Sequence, residues 1–578
     1  MGSCIPALCD ARHLGRVIAV SACQAVVLLE RSHAAAADRD LLLEMGTLVK
    51  MRTRVSFAYG MVTGLRVPLP SLEASHKDLR LVELELVGEI RDTDTVADFQ
   101  RGLSAYPALD EPVYLASAQD IAQVYARPKA IATPVGTIHQ NGAVPAYILV
   151  DELFGKHFGI VGTTGSGKSC GLATILRAVI DQSPNAHVVL LDPHNEYARA
   201  FGDRALVLSP GDGLHLPYWL FNFEELTEIV IGPDRNAEQI KVLGEAILAA
   251  KHSYSTKAGL DKFGTVDTPA PYRMSDVLRA LDAAMGSLNR PDGISSYQTV
   301  KARIVALQND ARYGFVFGSR LTVRDELVEI LGQLFRIPVA DQPVTILDIS
   351  GIPSEVVNVV VSVLCRLTFD FAVWNETPVP LTIICEEAHR YASRDKQLGF
   401  EAAKRALFRI AKEGRKYGVS LCVVTQRPSD LAPGLLSECN TIFAFRMTAQ
   451  EYQEIVRRAL PEASHGLMNF LSALRNGEAI AVGEGVSMPM RICFTPPPDE
   501  RRPKSATARF ASGWSNEVDG AVVEHTVERW RRGMRSPASS IPADGLAQQR
   551  IPPHILGAFP ATLDGSDDPG NKKLPGGS

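Results

Sequence analysis

Residues 162–169 read GTTGSGKS, between an apolar run, FGIVG (158–162), and a stretch of helical spacing, CGLATILRAVID (170–181). The pattern G-x-x-x-x-G-K-[ST], set between a strand and a helix, leaves few folds open. Gly162, Gly165 and Gly167 let the backbone wrap closely enough for its N–H groups to cradle phosphates. Lys168 is placed to reach β- and γ-phosphate oxygens. The Ser169 hydroxyl is offered to Mg²⁺ at the positive end of the following helix. The candidate nucleotide loop is therefore Gly162, Thr163, Thr164, Gly165, Ser166, Gly167, Lys168, Ser169 and Cys170, with ATP and Mg²⁺ as the implied ligands.

From about residue 148 apolar strands alternate with helical stretches, the signature of a parallel α/β sheet. The expected strands are FGIVG, HVVLLD (187–192), VTILDIS (344–350), LTIICE (381–386), VSLCVVT (419–425) and TIFAFR (441–446). LTIIC runs straight into two adjacent carboxylates, Glu386 and Glu387. Like charges side by side gain nothing at the end of a core strand unless positive charge faces them. A neighbouring parallel strand ends beside the phosphate loop, at the sheet edge where such folds bind ligands. There Glu386 would hold Mg²⁺, through a water, and Glu387 would polarise the water attacking the γ-phosphate. VSLCVVT ends at Gln426, whose side chain could sense the γ-phosphate. The competing reading of the acidic pair is a strand running out into a solvated turn.

Residues 16–30, 45–67 and 79–90 are rich in strand-forming residues, with Gly60 and Gly64 as breaks and near-strict alternation in LRLVELELVGEI. Short strands with little helix suggest a small β-barrel or sandwich. The proline-rich span 101–147 reads as a crossover into the next domain. An excursion of about 130 residues between the second and third core strands has helical periodicity at 234–252 and 274–287, as expected of an inserted helical subdomain. Beyond Pro496 the chain is rich in Pro, Gly and charge, with 515–533 helical. The expected domains are a barrel at 1–130, a core at 131–500 with an insertion at about 210–340, and a C-terminal extension at 501–578, largely disordered after about 535.

A formal charge of −5 gives no global mark of nucleic-acid binding, so any basic surface must be local. Cys4, Cys9, Cys23, Cys170, Cys365, Cys385, Cys422, Cys439 and Cys493 form no C-x-x-C pair, which argues against a disulfide framework or a zinc site. No signal pattern opens the chain, and no uncharged stretch reaches the roughly 18–20 residues of a membrane span. A cytoplasmic protein without a membrane partner is expected.

Together these residues resemble the HerA-like branch of the HerA/FtsK ATPases. The resemblance covers roughly 15–495. It rests on GKHFGIVGTTGSGKS (155–169), LLDPHNEY (190–197), LDISGIPSE (347–355), ICEEAHRY (384–391), AKEGRKYGVSLCVVTQRPSDL (411–431) and NGEAIAVGEGVSMPMRI (476–492). It implies a RecA-like parallel-sheet P-loop core and, from the strand-rich start with FQRGLSAYPALDEPV (99–113), an N-terminal HAS-barrel-like domain. It further implies a homo-hexameric ring that translocates on double-stranded DNA. Each subunit would lend an arginine to its neighbour's γ-phosphate: Arg415, by its place in EGRKYG, with Arg427 and Arg446 as alternatives. Where the family has Arg before His-x-x-Ile-x-Gly this chain has Lys156, which would keep a basic contact to nucleotide without bidentate geometry. Asn195 replaces a usual Gly, and Asn tolerates positive φ. Asp192, His194 and Glu196 have either a place beside ATP or a turn to hold. HRYASRDKQ (389–397), with Arg390, Arg394 and Lys396, is a candidate DNA-facing loop or a solvated one.

The resemblance implies a separate effector, a nuclease or a sirtuin-like protein, in DNA end processing or anti-phage defence; no nuclease pattern lies in the chain itself. Two other readings compete. One is a nucleotide-gated ring scaffold that regulates an effector without obligatory DNA movement, and the other is a membrane-associated DNA pump.

Overall fold

The computed structural model describes residues 12–531, apart from 31–42, 68–78, 92–98, 211, 233–235, 259–263, 288–290, 319–323, 353, 396–400, 462–464, 504–509 and 516–518. The expectation of disorder after about 535 falls outside the described residues.

Seven strands open the chain: β1 (His13–Val20), β2 (Gln24–Leu29), β3 (Leu48–Arg52), β4 (Ser56–Arg66), β5 (Leu81–Arg91), β6 (Phe99–Arg101) and β7 (Pro112–Leu115). Their order is β2-β1-β7-β3-β4-β5-β6, and a β2–β5 pairing closes six of them into an antiparallel barrel. Among the described residues, closure leaves only β6 at an edge. Val17, Val27, Met51, Val62, Leu84 and Val113 fill part of the interior. The apolar run 16–30 is two strands, because the chain reverses at Ser21, whose N–H donates to the Gln24 carbonyl. Gly60 and Gly64 do not break β4. The register against β5 shifts at both, so each serves a bulge that bends a continuous strand.

The remaining strands, β8 (Ala132–Ile138), β9 (Asn141–Leu149), β10 (Phe158–Val161), β11 (Val188–Asp192), β12 (Ala205–Leu208), β13 (Val344–Asp348), β14 (Leu381–Cys385), β15 (Val419–Thr425), β16 (Thr441–Phe445), β17 (Glu478–Gly483) and β18 (Met490–Phe494), form one sheet. Its order is β12-β13-β11-β14-β15-β10-β16-β17-β18-β8-β9. From β12 to β16 every pairing is parallel; from β16 to β9 every pairing is antiparallel. All residues of β10, β11, β13, β14, β15 and β16 are buried, which is why they read as unbroken apolar runs rather than alternating ones.

The expected crossover at 101–147 is built differently. It supplies barrel strand β7, a helix at Ala118–Val124 capped by Ser117, and the β8–β9 hairpin that ends the sheet. The insertion is helical as expected, with helices at Phe223–Val230, Ala237–Ala258, Met274–Ser287, Pro291–Asn309 and Leu327–Phe335. Strand β12 precedes them. Glu225, in the capping box of the first, accepts from Arg366 at 3.1 Å and so ties the insertion to the core helix Ser354–Trp374. Val356–Trp374 is long and apolar enough to cross a membrane, yet 78% of its apolar window is buried inside the protein.

Barrel and core meet where Gly466 lies against Thr63 and Glu85; a Cβ there would stand 2.5 Å from the Thr63 methyl carbon. Glu85 is buried, its Oε1 has no hydrogen-bond partner among the described residues, and burial pushes its carboxyl up to about 8. A raised carboxyl pKa means that the folded state binds more protons than the unfolded one between the ordinary glutamate range and about 8. Stability from this group therefore falls as pH rises through that window. Glu85→Gln should cancel that part of the loss: between pH 5.5 and 8 the variant's Tm should drop less than wild type's, by on the order of a few degrees. Parallel thermal melts check it, and identical pH slopes would refute it.

Candidate nucleotide site

The phosphate loop joins β10 to the helix Lys168–Gln182. Three glycines make its shape possible: φ is 158° at Gly162, 73° at Gly165 and 105° at Gly167. The last two lie where L side chains are strained. Gly167 is also needed for space, since a Cβ would sit 2.8 Å from the Gly477 nitrogen. The loop is pinned from behind: Thr163 donates N–H (3.0 Å) and Oγ1 (2.9 Å) to the Arg446 carbonyl, and Ser166 donates Oγ to the Thr163 carbonyl at 2.7 Å. Gly171 lets the Phe445 ring approach the helix; a Cβ would stand 2.4 Å from that ring.

The register β11–β14–β15–β10 brings the ends of four parallel strands to this loop. Glu386 and Glu387 follow β14 and are buried. Lys168 is buried too, with Nζ 3.1 Å from the Thr163 carbonyl and the charges of Glu386, Glu387 and Glu196 around it. Burial pushes Lys168 down in spite of that attraction. Burial, then the adjacent Glu387, pushes Glu386 up to about 8, and burial raises Glu387 as well. Burial thus opposes the charge of the lysine and of the acidic pair alike, as expected of a site organised for an ionic ligand.

Glu387 is a non-glycine residue at φ 52°, ψ 45°. This left-handed conformation costs on the order of 1–3 kcal/mol. Glu386 accepts the Tyr197 hydroxyl at 2.9 Å. Glu387 receives the Gln426 backbone N–H, while its buried Oε2 has no aligned donor among the described residues. His389 Nδ1 lies 3.2 Å from Oε2 and 3.0 Å from Thr425 Oγ1. Burial pushes this imidazole down to about 4, so the contact is with a neutral ring and not an ion pair. His194 Nε2 lies 3.9 Å from Oε1. The Gln426 amide oxygen accepts from the Thr164 hydroxyl, which places Gln426 on the loop.

DPHNEY divides its roles. Asp192 is fully buried and accepts from the backbone of His194 (3.2 Å) and Tyr197 (2.9 Å), so it holds the turn. Asn195 takes φ 53° within it. The turn delivers Glu196 to the site, where its Oε2 accepts from Ser169 Oγ at 2.9 Å. Glu196 and Tyr197 are the site residues that sequence reasoning left without a role. Their signal was present, since both sit in a motif directly after a core strand.

Lys156 and Arg415 stand away from the loop of their own chain. Lys156 precedes β10 and Arg415 precedes β15, so both lie at the sheet edge opposite the loop. The seven residues of β15 separate Arg415 from Gln426, a span of about 20 Å at strand rise. Lys156 pairs there with Glu152 and Glu484, and Arg415 adds its field at Glu484. The nucleotide contact expected of Lys156 therefore cannot be to the loop of its own chain. Arg427 and Arg446 do lie at the loop edge: Arg427 is exposed and paired with Asp430, and Arg446 pins the loop through its carbonyl. Arg390 and Arg394 are exposed, but Tyr391, Ala392 and Ser393 between them are buried, and the Ala432 N–H bonds the Ala392 carbonyl at 2.7 Å. That segment is an anchored turn rather than a free loop. Lys396 lies outside the described residues.

The residues present suit a magnesium nucleotide. Gly162, Gly165 and Gly167 leave a cradle free of Cβ atoms, a hydroxyl and three carboxylates converge on it, and one carboxylate oxygen is buried without an aligned donor among the described residues.

Comparison with known proteins agrees with the geometry. The family model described as "Helicase HerA, central domain" matches residues 133–368. The DNA double-strand break repair helicase HerA of Pyrococcus furiosus is 25% identical over 478 residues, covering 75% of this chain and 80% of its own. A probable DNA double-strand break repair helicase HerA of Methanocaldococcus jannaschii is 26% identical over 402 residues, covering 61% of this chain and 74% of its own. The solved structure of VirB4 of Thermoanaerobacter pseudethanolicus is a more remote likeness, 15% identical with a TM-score of 0.46, covering 65% of this chain and 99% of that one.

Proposed function

This chain is a HerA-like protein of the HerA/FtsK ATPase superfamily, and from that premise we propose that it hydrolyses ATP to move along double-stranded DNA as a homo-hexameric ring, beside a separate nuclease or sirtuin-like effector. The observation that carries the reading is the meeting of the phosphate loop, Lys168, Glu386, Glu387 and Gln426 at one end of the parallel strands. The named relatives, a DNA double-strand break repair helicase and a probable one, support it.

In this reading the backbone of 162–170 and Lys168 bind the phosphates. Ser169 and Glu386, with Glu196 beside Ser169, hold Mg²⁺, which supplies positive charge to the phosphate oxygens when bound. Glu387 takes the proton of the attacking water at Oε2. Gln426 reports the γ-phosphate to β15 and the loop after it. Arg415 and Lys156, grouped at Glu484 on the opposite edge, act on the nucleotide of a neighbouring subunit. Arg390 and Arg394 face DNA phosphates.

The test is the ATPase rate of the purified protein with and without linear double-stranded DNA, beside mass measurement of the assembly. Stimulation by DNA of a six-subunit particle is expected. Hydrolysis indifferent to DNA would transfer the reading to a nucleotide-gated scaffold, and a monomer without DNA response would leave the nucleotide site alone.

A further inference from the structure

We propose that His139, Glu478 and Cys493 form a binding site for a zinc-class divalent cation, separate from the nucleotide site. Scattered cysteines argue against zinc on spacing alone, but the sheet supplies what spacing lacks. Glu478 opens β17 and pairs directly with Cys493 on β18, so the two side chains share a face. Cys493 in turn pairs with Thr137 on β8, and His139 follows the end of that strand, its N–H bonded to the Arg491 carbonyl at 2.9 Å. Three adjacent strands thus present one imidazole, one carboxylate and one thiol.

The three ligand atoms stand 3.3 Å (His139 Nδ1 to Glu478 Oε1), 3.5 Å (Cys493 Sγ to Glu478 Oε1) and 3.9 Å (Cys493 Sγ to His139 Nδ1) apart. Tetrahedral zinc, bonded at about 2.3 Å to sulfur and about 2.0–2.1 Å to nitrogen or oxygen, needs edges of about 3.3 Å between N and O and about 3.5 Å to sulfur. Two edges already fit, and the third must close by about 0.4 Å. Arg491 holds the other carboxylate oxygen, Oε2, at 2.6 Å, and the Arg475 N–H reaches it at 2.9 Å. These contacts aim Oε1 at the other two ligands, the work of outer-sphere partners in metal sites. His139 is 36% exposed and Glu478 7%, so a fourth position opens to water on the imidazole side. Binding exchanges the thiol proton for the cation and releases it to solvent, and the dication then faces one thiolate and one carboxylate.

The site adjoins the phosphate loop. The Gly477 N–H, one residue before Glu478, bonds the Ser166 carbonyl at 2.9 Å, and the Phe494 N–H, one residue after Cys493, bonds the Gly477 carbonyl at 3.0 Å. A cation here clamps the two strands that back Ser166.

Co²⁺ titration of the metal-stripped, full-length protein tests the proposal, since cobalt reports thiolate ligation optically. One equivalent should produce a sulfur-to-cobalt charge-transfer band that Zn²⁺ bleaches. Cys493→Ser should abolish the band. His139→Ala, at a part-exposed position just beyond a strand, should weaken cobalt binding at least about 10-fold. Zn²⁺ should raise the Tm of wild type and leave that of His139→Ala unchanged. Absence of the band, its survival in Cys493→Ser, or wild-type affinity in His139→Ala would each overturn the site and leave a hydrogen-bonded triad.

Discussion

Glu387→Gln is expected to retain MgATP while its hydrolysis slows by about 10²–10⁴-fold, the usual contribution of a positioned general base. The substitution preserves shape. The amide occupies the same left-handed turn, keeps the Gln426 N–H contact and leaves Glu386, Lys168 and the glycine loop untouched. What it removes is the acceptor at Oε2, the buried oxygen without an aligned donor. Lys168→Ala separates binding from chemistry, because it should fail earlier, at nucleotide retention. Equilibrium binding of labelled ATP beside single-turnover hydrolysis distinguishes the two steps. Undiminished turnover by Glu387→Gln would remove Glu387 as the base, and loss of ATP retention would show that its charge serves the ground state instead.

What was legible beforehand follows from how each element is buried. Strands β10, β11, β13, β14, β15 and β16 are covered on both faces and so read directly as apolar runs. β8 and β9 did not, because Pro134 and Pro145 mark linkers in a sequence. β9 is the terminal strand of the sheet and Pro134 stands at a register shift, two positions where a missing N–H breaks no ladder. β12 is four residues long, too short for any period to show. In the site, the loop, Glu386, Glu387 and Gln426 were legible because each ends a recognisable strand. Glu196 was visible but mute, since its role depends on Asp192 folding the turn back to Ser169. The nucleotide contact expected of Lys156 carried no assignment to its own chain or to a neighbour's. A motif reading joins residues by order, and Lys156 stands before its strand while the loop stands after it.

That same geometry bears on Arg415, proposed above to act on the nucleotide of a neighbouring subunit. Because a full strand separates it from Gln426, it can serve a phosphate only on another subunit. Arg415→Ala should lower hydrolysis by about 10³–10⁵-fold if it acts as the transferred arginine, while ATP binding survives. Its pairing offers no structural excuse for such a loss, since the side chain is exposed and lies on a 3₁₀ turn after the helix Glu401–Glu413. The decisive measurement mixes two dead proteins. An Arg415→Ala subunit has an intact loop and Glu387, and a Glu387→Gln subunit has an intact Arg415. Reassembled in equal amounts, about a quarter of the heterologous interfaces would join a whole site to a whole arginine, and activity should reappear. A mixture no more active than its components would deny the arginine a role across the interface. Near wild-type hydrolysis by Arg415→Ala alone would return it to the status of an exposed residue at a helix end, where its charge merely offsets the C-terminal dipole.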